Sequence, residues 1–396
     1  MDKVTAPGRL RLRIACGVFF FISGFGYSSW ASRIPSIQQQ LHLSEGQLGG
    51  VLFALPIGLM LTLPITAKLL KHFSSRSIML VGAIAFNLLL CVPGFTAYTW
   101  QLIVLLFFFG SARNIFNLSV NAQAVGVQSF YDRSIMVTFH GIWSIAGFAG
   151  AAVGYLMVSF NVAPSYHLLF VGISMLIVTA IFYPHAYYEK PVNTVNKSVF
   201  SLPDKHLIKF SLICFASMAC ENTMYDWSGI YFQKVLNASK PAATAAFVVY
   251  MIAMTIGRFT GDKLVASAGI KKVLTCSGIL ILSGLLLSVL LPYNYTVYIG
   301  YALVGMGVSC VVPLVFSVAG KSQNMNTGQA LAAISTIGYL GFLIIPPAVG
   351  FIAQAAGLRW AFGIVSGFGA LIILMVSKIE STNPPRVLQP EMYEAS

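Results

Sequence analysis

Residues 273–291 read VLTCSGILILSGLLLSVLL, nineteen consecutive positions without a charge, preceded by Lys271 and Lys272 and followed by Pro292. As a helix rising about 1.5 Å per residue, such a run reaches across a hydrocarbon core about 30 Å thick. Eleven further apolar stretches flank it, separated by polar turns. Spans are expected near 14–35, 48–70, 77–96, 101–125, 135–159, 166–184, 207–233, 243–266, 272–292, 296–319, 328–353 and 358–377, which together account for nearly all of the 396 residues. The expected fold is an all-α integral membrane protein with twelve transmembrane helices.

Composition agrees. With 57% hydrophobic residues, 9% charged residues and a mean hydropathy of +0.80, the chain lies outside the range of soluble domains. The net charge of +13 raises the question of a nucleic-acid partner, but the basic residues are spread over alternate loops. Lys3, Arg9, Arg11, Arg13, Lys68, Lys71, Arg76, Arg258, Lys263, Lys271 and Lys272 are among 19 of the 24 Lys and Arg that fall on one side. Arg33, Lys234, Lys240 and Arg359 fall on the other, and Arg113 lies inside a span. The positive-inside rule then expects both termini in the cytoplasm and no nucleic-acid partner. A basic tail before the first span also resembles a signal peptide, but eleven following spans favour an uncleaved helix. The six cysteines all lie within spans at no metal-binding spacing, so they read as small apolar side chains and no metal is expected.

The longest connection, 185–206, is polar and basic and contains two prolines. It reads as a cytoplasmic linker between an N-terminal six-helix bundle, 1–184, and a C-terminal one, 207–378, followed by a cytoplasmic tail, 379–396. A repeat supports the division: SIAGFAG at 144–150 in the fifth span recurs as STIGYLG at 335–341 in the eleventh. Small residues at this spacing let helix backbones approach closely in lipid.

A second repeat carries a family resemblance. GRFTGDKL at 257–264, with Lys271 and Lys272 after it, corresponds to PITAKL at 64–69 with Ser75 and Arg76. Gly257, Arg258, Gly261, Asp262 and Lys263 resemble the signature gating loop of the major facilitator superfamily. Ala67 stands where the second half has Asp262, so the first site lacks the acid of a charge clamp; Asp262 itself clamps, caps a helix or pairs with Arg258. GYSSWASRIP (26–35), NAQA (121–124), FHGIWS (139–144), ENTMYDWS (221–228) and GYLGF (338–342), with Pro346 and Pro347, resemble the YbjJ-type, fucose-permease-like bacterial branch. Gln128 stands where that pattern expects an acid. The resemblance implies two pseudo-symmetric bundles, alternating access to a central cavity and a bacterial inner-membrane location.

Chemistry concentrates in three charged residues within spans: Arg113, Glu221 and Asp226. Left facing lipid they would cost roughly 8–10 kcal/mol together, so they face a wet cavity or one another. An Arg113–Glu221 pair across the two halves is one expectation, a fixed structural pair another. At about 100° per residue, Arg113, Asn114, Asn117 and Asn121 share one arc of span four, and Glu221, Asn222 and Tyr225 share a face of span seven with Asp226 about 140° round from Glu221. Tyr27 and Trp30 on span one suit a hydroxylated or ring-containing solute, and Trp30 equally suits an interfacial anchor. His140, three residues before Trp143, reads as a proton relay or as a packing histidine. Pro313 and the Pro346–Pro347 pair are expected to kink spans ten and eleven. Ser44 to Gln47 reads as a capping box before span two.

Gly24-Phe-Gly26 and Gly305-Met-Gly307 sit in spans without a preceding strand, and no phosphate-binding loop occurs, so no cofactor and no ATP-driven step are expected. The expectation is a monomeric secondary transporter, not an enzyme, that moves a small organic solute by alternating access, coupled to protons or another ion through Glu221, the first choice of carrier, and Asp226, which alternatively binds solute or a cation or holds Tyr225 and Trp227 in place. A midplane acid gives up its water when the cavity closes, which favours taking up a proton. Proton-driven export of amphipathic compounds and a non-transporting solute sensor are the alternatives.

Overall fold

The computed structural model describes residues 6–131, 135–189, 203–204, 207–319 and 327–379. Most of the expected linker and all but the first residue of the expected tail lie outside them. The described residues form α1 (Ala6–Ala31), α2 (Ile34–Gln40), α3 (Glu45–His72), α4 (Ser75–Leu90), α5 (Thr99–Gln128), α6 (Met136–Ser159) and α7 (Pro164–Phe182). Then follow α8 (Leu207–Val235), α9 (Lys240–Ala268), α10 (Ile270–Leu290), α11 (Asn294–Val308), α12 (Val311–Ala319), α13 (Thr327–Ala356) and α14 (Leu358–Ser377), with no strand among the described residues.

Among the described residues, eleven segments are long and apolar enough to cross a membrane. The twelfth, α8, has 29 residues, but its hydrophobic run is interrupted by Asn222, Thr223, Asp226 and Ser228, all turned into the protein. Polar residues hidden from lipid lower its hydropathy without preventing it from spanning. Within the first set of helices α1 packs on α5 and α6, and α3 on α5; within the second, α8 packs on α13 and α14, and α10 on α11 and α14. The sets meet along two seams, α3 with α13 and α6 with α9.

The 144–150 and 335–341 repeat has a direct structural meaning. A Cβ at Gly150 would run into the Phe25 carbonyl of α1, and one at its counterpart Gly341 would lie 2.8 Å from the Phe215 carbonyl of α8. The repeated small residues thus seat α6 on α1 and α13 on α8, the same relationship in each set.

Several boundaries differ from expectation for identifiable reasons. The first span ends at Ala31, and a separate short helix starts at Ile34 with Pro35 in its first turn. Span ten breaks into α11 and α12. Pro313 has no N–H to offer the Ser309 carbonyl, and regular bonding resumes with Leu314 N donating to Cys310 O at 3.1 Å. By contrast, α13 stays helical through Pro346 and Pro347. The expected gating loop, Gly257 to Lys263, is helical: α9 continues to Ala268 and stops at Gly269, whose φ of 80° favours glycine. The capping box forms as read, with Gln47 N donating to Ser44 Oγ at 3.2 Å and Ser44 N donating to Gln47 Oε1 at 2.9 Å.

Twelve crossings return the chain to the end where it began. At the opposite, far end the two sets are joined. Gln39 Nε2 donates to Gln233 Oε1 at 2.6 Å, and Lys234 pairs with Glu45. Gln354 Oε1 accepts from Gly46 N at 3.0 Å. Just inside these bonds a Cβ at Gly350 would lie 2.8 Å from Gly49 Cα, so α3 and α13 touch backbone to backbone.

Candidate functional site

α8 passes between the two seams and carries both acids, which face different partners. Glu221 Oε1 lies 3.8 Å from Arg258 Nη2, with both side chains largely buried. Arg258 is about 15 Å inside the end of α9, ten residues before Ala268 at about 1.5 Å each, so it belongs to the interior of the protein and not to an end loop. Its Nη1 donates to Ser144 Oγ of α6 at 2.9 Å, and its guanidinium lies 5.3 Å from the Trp143 ring. Thr255, one turn earlier on α9, donates to the Ser144 carbonyl at 3.2 Å. One guanidinium therefore spans the α6–α9 seam, with a carboxylate of its own set on one side and a hydroxyl of the other set on the second.

Asp226 forms the other cluster. Asn222 Nδ2, one turn earlier, donates to Asp226 Oδ2 at 3.0 Å. Both residues share a pocket with Tyr27 and Arg113 of the first set, and Arg113 lies 3.6 Å over the Tyr27 ring. Tyr27 also meets Tyr225 at 5.2 Å, and Tyr225 packs edge-on to Phe247 at 5.3 Å. The Tyr225 hydroxyl is buried without a hydrogen-bond partner among the described residues. The pocket encloses about 10 Å³, barely room for one water, so in this conformation the two sets are closed upon it.

These positions revise the expected pairing. Arg113 is directed at Tyr27 and the Asp226 cluster, and the ion pair of Glu221 is with Arg258; the Arg113–Glu221 pair is not formed. Asn114 leaves the expected cavity arc, because its amide donates to Thr66 Oγ1 at 3.0 Å and fastens α5 to α3. Asn117 Oδ1 accepts from Ser23 Oγ at 2.8 Å, and Asn121 donates to the Asn117 carbonyl at 2.8 Å. Trp30 is buried against Phe109, with ring centroids 6.3 Å apart, and is no interfacial anchor. Gln128, where an acid was expected, accepts from Ile135 N at 3.0 Å and so holds the start of α6.

His140 packs edge-on against Phe20 at 5.4 Å and borders a second cavity of about 170 Å³. Arg258, Asp262, Ser309, Cys310 and Pro313 share its wall, so the α11–α12 break helps to shape it. Asp262 thus stands beside a cavity that ends on Arg258, while the ion pair of Arg258 is with Glu221. Gly257 and Gly261 allow close contact with that break: the Cys310 thiol donates to the Gly257 carbonyl at 3.2 Å. Lys263, one residue beyond Asp262, is exposed. No group of three or more His, Cys, Asp or Glu among the described residues is arranged to hold a metal ion.

Ser144 and Thr255 were not singled out by sequence reasoning. Ser144 opens the repeated SIAGFAG segment, a signal read as packing alone. The interior position of Arg258 was also signalled, by Gly269 with Lys271 and Lys272 after it, the pattern of a helix stop three turns downstream.

The sequence profile described as Major Facilitator Superfamily matches residues 16–322 and 210–395. An uncharacterised MFS-type transporter of Yersinia pestis is 32% identical over 95% of this chain and 96% of its own length. Among solved structures, a mutant of the nucleoside transporter NupG superposes with a TM-score of 0.75 at 13% identity, covering 92% of this chain and 99% of that one. A bacterial homologue of the human lysosomal transporter Spinster, inward-facing and occupied, gives a TM-score of 0.73 at 12% identity, over 94% and 97% of the two chains. At such identities these structures establish the shared fold.

Proposed function

Because the chain belongs to the Major Facilitator Superfamily, a family of transporters, we propose that it is a secondary active transporter that moves a small organic solute by alternating access and couples that movement to protons at Glu221. The observation that carries this reading is Arg258, held between Glu221 of the second set at 3.8 Å and Ser144 of the first at 2.9 Å. A charged Glu221 holds the guanidinium toward α8. A proton on Glu221 removes that attraction and leaves Arg258 to Ser144 and Trp143, so the protonation state of one carboxyl biases a contact that must change when the sets rock. A charge in the middle of a bilayer is costly: a proton makes Glu221 neutral for one half of the cycle, and in the other half the ionised carboxylate is offset by Arg258 at 3.8 Å.

Asp226, Asn222 and Arg113 form the solute face of the site. Their donors and acceptors, beside the rings of Tyr27 and Tyr225, suit a sugar or a related hydroxylated, ring-containing compound. Two bundles, 1–184 and 207–378, rock about this face. The Lys and Arg bias supports cytoplasmic termini in a bacterial inner membrane. The far end, joined through Gln39–Gln233 and Glu45–Lys234, is then the outer gate in its closed state. The quoted sequence segments favour the fucose-permease-like branch, and the chain is read as working as a monomer.

Purified protein in liposomes, challenged with sugars, sugar acids, nucleosides and amphipathic drugs while internal pH is recorded, tests the reading. A solute-dependent pH change in the wild type that disappears in Glu221→Gln is the expected result. Solute entry without any proton movement would remove the coupling.

A further inference from the structure

Four basic residues fall on the far side of the chain, and all four line one of two cavities there. Lys234 and Arg359 border one; Arg33 and Lys240 border the other. The second cavity encloses about 360 Å³, within the range of small-molecule sites of about 300–1,000 Å³. Its polar wall consists of Arg33, Ser36, Gln39, Gln40, Asn161 and Lys240, and no acid lines it. The cation at its base is unusual. Arg33 is 2% exposed, donates through Nε to His167 Nδ1 at 2.9 Å and through Nη2 to the Val162 carbonyl at 2.9 Å. Those bonds occupy two of its five N–H groups. Arg33 makes no ion pair among the described residues. His167 accepts at Nδ1, so that nitrogen carries no proton, and a neutral ring brings no countercharge. A buried guanidinium without a countercharge is costly to hold, and an arriving anion removes that cost.

The geometry points to a binding site for a small oxyanion, a phosphate or a carboxylate, that clamps the far end shut. Arg33 supplies the buried charge and a planar donor fork suited to such oxygens. Lys240 supplies the second charge. Ser36, Gln39, Gln40 and Asn161 offer further hydrogen bonds. The clamp follows from which element brings what: Arg33 and α2 belong to the first set of helices, and Lys240 opens α9 of the second. The lining is complete only while the sets meet at this end, beside the Gln39–Gln233 bond. A ligand that binds one conformation alone shifts the population toward it. This site is separate from the Glu221 and Asp226 clusters and does not depend on the identity of the transported solute.

Gln233→Cys places a thiol in the far-end seam, and its alkylation rate, read at that peptide by mass spectrometry, reports opening. Full-length protein is labelled in rising inorganic phosphate or succinate, with sodium chloride matching the ionic strength. An anion bound only to the closed state slows labelling about threefold at twice its Kd, and the slowing saturates. Phosphate or succinate is expected to produce this in the Gln233→Cys background and in Lys378→Gln, a charge removal at the opposite end, but not in Lys240→Gln. Lys240 is exposed, so its replacement leaves the fold intact where Arg33→Gln does not. Equal slowing by chloride, no slowing by either oxyanion, or slowing that persists in Lys240→Gln would each overturn the proposal.

Discussion

Arg258 Nη2 stands 3.8 Å from Glu221 Oε1 in the interior of the second set, while the other arm of the same guanidinium donates to Ser144 of the first set at 2.9 Å. The charge pair and the contact between sets therefore share one side chain. Replacing Arg258 by Gln leaves Glu221 buried without its partner, with an expected stability loss of about 1–3 kcal/mol. In the double variant Arg258→Gln with Glu221→Gln neither charge is orphaned, and part of that loss is expected to return. Thermal unfolding of the four proteins in one detergent checks the coupling as a double-mutant cycle.

Ser144→Ala removes the acceptor that ties Arg258 to α6. A loss of about 0.5–1.5 kcal/mol is expected, together with a looser seam. The check is hydrogen exchange of α6 and α9 peptides, which is expected to rise around 141–148 and 251–258 and not along the α3–α13 seam.

Asn222→Ala separates the roles of the two acids. Asn222 Nδ2 donates to Asp226 Oδ2 at 3.0 Å, whereas Glu221 faces Arg258. Solute affinity is expected to fall, while the number of protons moved per solute stays at the wild-type value. Paired binding and pH-flux measurements on the variant provide the test.

Tyr27→Leu removes the ring under Arg113, a contact at 3.6 Å. A desolvated cation–π contact is worth about 2 kcal/mol; with Arg113 no longer held over the solute face, solute binding is expected to weaken by more than about tenfold. Tyr27→Phe keeps the ring and is expected to retain most of the affinity, which isothermal titration of the two variants resolves.

How far the sequence led depends on what kind of neighbour each residue has. Spans were legible because twenty-residue apolar runs have few other uses, and the Ser44–Gln47 box because its partners are local. The packing role of Gly150 and Gly341 was legible, since small residues at that spacing serve backbone contact, here with Phe25 and Phe215. Arg258 was placed at a helix end because its segment matches a loop signature, although Gly269 marks the true stop. Asn114 shared an arc with Arg113, but an arc of one helix says nothing about which helix faces it, and α3 offers Thr66. The pairing of acids and bases failed for the same reason: Glu221 has two cations within the protein, Arg113 and Arg258, and only the packing of α8 against α9 selects between them. Asn222 and Asp226, four apart on one helix, were pairable from spacing alone.

The most direct test of coupling at Glu221 is the accumulation ratio in proteoliposomes under an imposed pH gradient, wild type beside Glu221→Gln, with solute exchange at zero gradient as the control for folding. Glu221→Gln is expected to exchange solute across the membrane but to stop at equal concentrations, while the wild type concentrates it. Accumulation by Glu221→Gln at the wild-type ratio would contradict the assignment of Glu221 as the coupling group.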